Sequence, residues 1–220
     1  MGLPAISSYP MPDGSALPRS YASWRIDPAR GALLIHGMQN QLVGTFPAGR
    51  SPVVELVENI TALRELAGAL AMPVVFSAEP AGEQPSSCVQ APEPDDEIPE
   101  SVDEPDAVGI IDSLAPRPGE HLLGNVRHNA FLRSRLDRLL RSEGRDQLIV
   151  CGVYAHLGVL LTAADAFMNG FQPFVVADAV ADFSAEEHTM ALRWSARGSV
   201  VRTTDALLRD LLLHRGRRQA

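Results

Sequence analysis

The chain reads as an α/β fold of three layers: a Rossmann-like parallel sheet of about six strands in a single domain, flanked by helices on both faces. Three observations predict it. Short apolar runs such as Ala32–Ile35, Pro73–Ser77 and Gln147–Cys151 alternate with longer segments whose apolar residues recur at helical spacing. Several helical segments stop at a glycine, as at Gly144 and Gly170, the residue that ends helices at least steric cost. Finally, 220 residues with 45 % apolar and 21 % charged side chains suit one globular core.

Taken in order, residues 1–28 are rich in Pro, Ser and Tyr, lack periodicity and read as an extended arm over a domain spanning 29–215. A buried strand at Gly31–His36 is followed by a helix over 52–70, with Ser51 as N-cap and Pro52 at the first helical position. The next strand, 73–77, leads to the stretch 80–106, which is rich in proline and carboxylates and has no basic residue. Such composition reads as a long loop, either a lid or a solvated surface segment. A short helix over 107–114, a strand at 121–124 and a helix over 129–143 come next. Then follow a strand at 147–151, a helix over 157–169 and a strand at 173–177. Ser184 and Glu187 form a capping box for a helix over 185–197, and a strand at 199–202 and a helix over 204–214 close the fold.

Composition narrows the function. A net charge of −8 argues against a nucleic-acid partner, because phosphate binding needs a basic surface. No apolar run approaches the ~20 residues of a membrane span, and the N-terminus lacks the pattern of a signal peptide, so a cytoplasmic protein is expected. Cys88 and Cys151 do not make a disulfide framework, and Cys151 reads as a small buried hydrophobe. All nineteen basic residues are arginine, so no lysine acts as base, Schiff-base former or charge clamp. No set of His, Cys and Asp has zinc-ligand spacing, and neither a metal nor any other cofactor is expected.

The segment Gly152-Val-Tyr-Ala-His156-Leu-Gly-Val159 follows a buried strand and opens a helix, in the carboxyl-end crevice where open α/β sheets bind ligands. A helix start there offers free backbone N–H groups and a positive dipole end, suited to an anion or oxyanion. This segment, with Leu33-Leu-Ile-His-Gly-Met-Gln39, Ser77-Ala-Glu-Pro80, Arg127-His-Asn-Ala-Phe131, Gln172–Ala179 and Asp182-Phe-Ser184, resembles the isochorismatase-like hydrolases of the cysteine hydrolase superfamily. The resemblance runs almost end to end, the 80–106 stretch excepted. Within the family it leans to the phenazine-biosynthesis branch, which splits the enol-pyruvyl ether of a chorismate-derived acid.

The superfamily uses an aspartate after the first strand, a lysine after the third and, in its amidase branch, a cysteine at the helix start. The matching positions here are Gly37, Asn125 and Val159. The isochorismatase branch acts without the cysteine, but its aspartate protonates the vinyl ether, so Gly37 removes the usual acid and Asn125 removes its cationic partner. Where close relatives carry glutamine after the second strand, this chain has Glu79. A carboxylic acid has left one strand end and another has appeared at its neighbour, which makes Glu79 the candidate general acid. The competing reading is a carboxylate held by Arg127 or by backbone donors.

His128 replaces a tyrosine of relatives and is the second candidate for proton transfer, against a loop histidine with no role. Arg127 suits a substrate carboxylate. Tyr154 matches a substrate-contacting tyrosine, and the resemblance implies a cis Val153–Tyr154 bond. Gln39, Gly158 and Val159 join Gly37 and Asn125 around the ligand. His156 is either another binding residue or a structural histidine near a dimer contact, and His36 is expected to turn into the fold. The expected protein is a homodimer of specialised, phenazine-type metabolism acting on a small carboxylate-bearing acid, with little ordinary vinyl-ether hydrolysis. The alternative is an inactive family member that binds a small molecule or a pathway partner.

Overall fold

The computed structural model describes residues 6–79, 109–124 and 128–218, with side chains as far as residue 214. Asn125, Arg127, Cys88 and the acidic 80–106 stretch lie outside them. The sheet comprises β1 (Gly31–His36), β2 (Val74–Ala78), β3 (His121–Gly124), β4 (Gln147–Val153), β5 (Gln172–Ala181) and β6 (Val200–Arg202). All neighbours pair in parallel, in the order β3-β2-β1-β4-β5-β6. The helices are α1 (Asn40–Val43), α2 (Val53–Ala69), α3 (Leu136–Ser142), α4 (Leu160–Met168), α5 (Ala185–Ser195) and α6 (Thr204–Arg218). This is the three-layer α/β fold the sequence predicts.

Strand alternation builds two cores. Leu33 and Ile35 of β1 pack with Leu56 and Ile60 of α2, Leu207 of α6, and Tyr9 and Ile26 of the arm. Ala32 and Leu34 pack on the other face with Leu136 of α3, Ala163 of α4 and Leu192 of α5. Every residue of β1 is therefore buried, as a central parallel strand requires. The chain moves outward from β1 to β2 and β3, then returns to β4 on the opposite side of β1. The crevice beyond the carboxyl ends of β1 and β4 is the switch point at which such sheets bind ligands.

Local chemistry explains where elements differ from the sequence reading. Ser51 does not cap α2: the Ser51–Pro52 bond is cis and Pro52 holds the cap position without a side-chain hydrogen bond. The helix expected over 129–143 is confined to α3, because the preceding polar groups bond elsewhere. Asn129 donates to Asp165 and accepts the Phe131 N–H, while the Ala130 N–H donates to Thr162. The helix expected over 107–114 is a 3-10 turn at Asp112–Leu114, and Gly109–Ile111 instead pairs with the segment after β1. The helix after β4 opens with a π turn, Ala155–Val159, and β5 runs on to Ala181. Ser184 caps α5 as read, accepting the Glu187 N–H at 3.1 Å. Cys151 is buried, and burial pushes its thiol pKa up. Among the described residues no helix is long and apolar enough to cross a membrane.

Candidate active site

The polar residues beyond the strand ends are set by register. His36, the last residue of β1, lies between Ser77 of β2 and Gly152 of β4. Its ring turns into the fold, as expected, and is 3 % exposed. Nδ1 lies 3.2 Å from Ser77 Oγ, and the other ring edge occupies the place a side chain on Gly158 would take. Burial pushes the His36 pKa down to about 4, against a smaller opposing pull from Glu79, so the ring is neutral at physiological pH. Gly37 follows with φ +65°, its N–H donating to Ser77 O at 2.8 Å.

Beyond β2, Glu79 is 8 % exposed, and its carboxylate lies 3.0 Å from His128 Nδ1. Its backbone is clamped by a single side chain: Gln39 Nε2 donates to Glu79 O and Glu79 N–H donates to Gln39 Oε1, each at 2.9 Å. Gln39 is itself buried and pairs with Ile110 through a backbone bridge. His128, at φ +65°, presents a partly buried ring to Glu79. The partner of Glu79 seen among the described residues is thus a histidine adjacent to Arg127 in the chain.

Beyond β4 the Val153–Tyr154 bond is cis, as the resemblance implies. The Tyr154 hydroxyl donates to Leu42 O and lies 3.0 Å from Thr45 Oγ1, and its ring packs against Phe46 and Phe183. Burial raises the pKa of Tyr154, the Thr45 hydroxyl opposes it, and the charges of Asp182 and Glu79 add smaller upward pushes. The π turn uses some of its own donors: the Val159 N–H bonds to Tyr154 O, and the His156 N–H bonds to Asp182 Oδ2. His156 Nδ1 is 2.6 Å from Asp182 Oδ1.

The structure therefore brings together Gly37, Gln39, Glu79 and His128 at the ends of β1 and β2, and Tyr154, His156, Gly158 and Val159 at the end of β4. Sequence reasoning did not assign Asp182, Thr45 or Tyr9. The only signal for Asp182 was its place in the Asp182-Phe-Ser184 segment, and Tyr9 sits in an arm with no periodicity. Among the described residues no group of three His, Cys, Asp or Glu side chains could hold a metal ion. Chemically, the arrangement offers a carboxyl–imidazole pair for proton transfer, the carboxyl buried and the ring partly so.

A doubly wound parallel sheet with such a carboxyl-end site defines a three-layer α/β scaffold of the isochorismatase type. The chain belongs to the isochorismatase family, whose isochorismatase domain matches residues 31–206. It is 45 % identical over 212 residues to the isochorismatase of Bacillus subtilis, covering 96 % of this chain and 67 % of that protein. It is 40 % identical over 210 residues to the phenazine biosynthesis protein PhzD of Pseudomonas fluorescens, covering 94 % and 99 % of the two chains. Enterobactin synthase component B of Escherichia coli is 37 % identical over 209 residues, covering 94 % of this chain and 73 % of that protein. Among solved structures, a cysteine hydrolase from Pseudomonas syringae superposes with a TM-score of 0.70 at 21 % identity, covering 90 % of this chain and 98 % of that one, which shows the shared fold.

Proposed function

We propose that the protein is a hydrolase of specialised metabolism acting on a small, carboxylate-bearing acid derived from chorismate, with Glu79 and His128 supplying the proton. The observation that carries this reading is the pairing of buried Glu79 with partly buried His128, 3.0 Å apart at the end of β2, next to a β1 end whose Gly37 has no side chain to offer. Support for the substrate class comes from the relatives: an isochorismatase and a phenazine biosynthesis protein, each aligned over almost the whole of this chain.

The reaction such a pair serves is hydrolysis of an enol-pyruvyl ether. A proton is delivered to the terminal methylene carbon, the resulting oxocarbenium takes up water, and the hemiketal collapses to pyruvate and the ring alcohol. Arg127 and Asn125 are proposed to complete the binding surround with Gln39, Tyr154, Gly158 and Val159. The same reading takes the protein as a cytoplasmic homodimer, which sedimentation of the purified chain tests.

The test is pyruvate release from isochorismate and aminodeoxyisochorismate. Release is expected to be slower than that of the Bacillus subtilis isochorismatase, because the acid is supplied by Glu79 from the neighbouring strand end and not from the Gly37 position. It is expected to vanish in Glu79→Gln; unchanged release in that variant would falsify the relocated acid. One observation favours the second reading, an inactive binder: the backbone of Val153 fills the space of a Gly37 side chain. Calorimetric binding of isochorismate with no turnover would decide for it.

A further inference from the structure

Two histidines near the end of β5 are held in opposite ways. His188 is 1 % exposed and both of its ring nitrogens are engaged. Nε2 lies 2.9 Å from the carbonyl of Ala177, so it donates, and Nδ1 faces the Tyr9 hydroxyl at 3.2 Å, whose proton also reaches Asp182 O at 3.2 Å. That is a fully satisfied structural histidine. His156 is bonded on one edge only. Its Nδ1 lies 2.6 Å from Asp182 Oδ1, and the ring is 21 % exposed while the Asp182 side chain is fully buried. A carboxylate only accepts, so Nδ1 carries the proton, and the neutral ring keeps its lone pair on Nε2. Among the described residues Nε2 has no hydrogen-bond partner.

We propose that His156 is a proton acceptor of this site, held in the Nδ1–H tautomer by Asp182, and that Tyr9 of the N-terminal arm is a positioning residue for that pair. An imidazole whose one nitrogen is fixed by a buried carboxylate and whose other is bare is the base-and-orienter arrangement of proton-transfer sites. The carboxylate has no slack: Oδ2 takes the His156 N–H at 2.7 Å and Oδ1 also takes the Phe183 N–H at 2.9 Å. Asp182 is fixed in turn by the arm, because its N–H donates to Tyr9 Oη at 2.7 Å. The Tyr9 hydroxyl donates to the Asp182 carbonyl at 3.2 Å and lies 3.2 Å from His188 Nδ1, so the arm, Asp182 and His156 form one chain of bonds.

The pair also lies beside the site already described. His156 packs edge-on against Phe183, and Phe183 stacks on Tyr154 with ring centroids 4.4 Å apart. Phe183 thus joins His156 to Tyr154 of that site. This inference rests on the hydrolytic reading above and assigns its second proton. Glu79 gives a proton to carbon, and His156 Nε2 takes one from the water that adds to the oxocarbenium. As the hemiketal C–O bond breaks, the hydroxyl proton passes to Glu79 and His156 returns its own to the leaving oxygen, so one water is consumed in all.

The experiment is imidazole ¹⁵N NMR of the full chain, paired with pyruvate release by Tyr9→Phe, His156→Gln and Glu79→Gln. Neutral His156 is expected as the Nδ1–H tautomer and His188 as the Nε2–H tautomer. Tyr9→Phe is expected to mix the His156 tautomers while the circular dichroism spectrum stays native. Should that variant not fold, His188→Gln, which replaces one of the two groups facing the Tyr9 hydroxyl, is expected to do the same. His156→Gln is expected to lower kcat by about 10²–10⁴-fold with KM within a few-fold. An Nε2–H ring at His156 overturns the dyad, and an unmoved His156 signal in the arm variants overturns the role of Tyr9. Full kcat in His156→Gln, with activity lost in Glu79→Gln, overturns the proton acceptor and leaves the earlier reading standing. The reverse result keeps His156 and removes Glu79. If the wild-type chain releases no pyruvate, the hydrolytic reading fails and His156 loses its proposed role with it, whatever tautomer the ring shows.

Discussion

The carbonyl oxygen of Val153 sits where a side chain on Gly37 would begin: a Cβ there would lie 2.4 Å from it. Gly37 also holds φ +65°, a left-handed conformation that a β-carbon disfavours, and its N–H is tied to Ser77. The end of β1 is therefore built around the absence of a side chain. Gly37→Asp, which returns a carboxyl to the position where the family resemblance leads one to expect it, is predicted to cost about 2–4 kcal/mol of stability and not to raise pyruvate release above wild type. Urea denaturation and the release assay check this together. A variant as stable as the wild type that turns over isochorismate rapidly would show that β4 moves aside to admit the acid.

Gln39 holds both backbone groups of Glu79 through its amide. Replacing it with leucine, of similar size, leaves a buried N–H and a buried C=O unpaired, at about 1–3 kcal/mol each. Gln39→Leu is predicted to lower the thermal midpoint by several degrees and to reduce any Glu79-dependent activity along with it. A midpoint within a degree of wild type would mean that water takes over both bonds and that Gln39 does not position Glu79.

The ring of His36 occupies the space of a side chain at Gly158: a Cβ there would lie 2.0 Å from His36 Nε2. His36 has no freedom to retreat, since it is buried and its Nδ1 faces Ser77. Gly158→Ala is predicted to cost about 1–3 kcal/mol, the usual range for overpacking a filled site. Combining it with His36→Ala is predicted to recover part of that loss, giving a coupling of about 1 kcal/mol or more in a double-mutant cycle. Simple additivity of the two changes would refute the contact.

Much of the fold was legible because it rests on local chemistry. Apolar runs at strand length, helical spacing and the Ser184 cap each depend on neighbours in sequence, and the strands, most helices and the Ser184 cap stand in the structure. The segment 129–135 was misread as helix because Asn129 and Ala130 bond to α4, more than thirty residues away. The site divides the same way. Glu79, His128 and Tyr154 could be named from strand ends and resemblance. Asp182 could not be given its role, because its bond to His156 joins residues 26 positions apart and its bond to Tyr9 joins residues 173 apart. No periodicity encodes such pairs; only the sheet order brings them together.

His36 and His188 make the fold sensitive to acid. Burial is the largest cause in both cases, and it pushes each pKa down to about 4 from an ordinary value of 6.5. Above pH 6.5 both rings are neutral folded or unfolded, and their contribution to stability is complete. As pH falls from 6.5 towards 4 the unfolded chain takes up protons that the folded chain refuses, so stability falls, by up to about 3 kcal/mol for each ring. Asp182 works in the other direction, since burial raises its carboxyl pKa and the folded state there holds its proton more readily. A variant isolates the histidine share. His188→Gln keeps a donor for Ala177 O and cannot be protonated, so the fall in urea midpoint between pH 6.5 and 4.5 is predicted to shrink by roughly half relative to wild type. Parallel curves for the two proteins across that window would show that His188 is not buried in the neutral form.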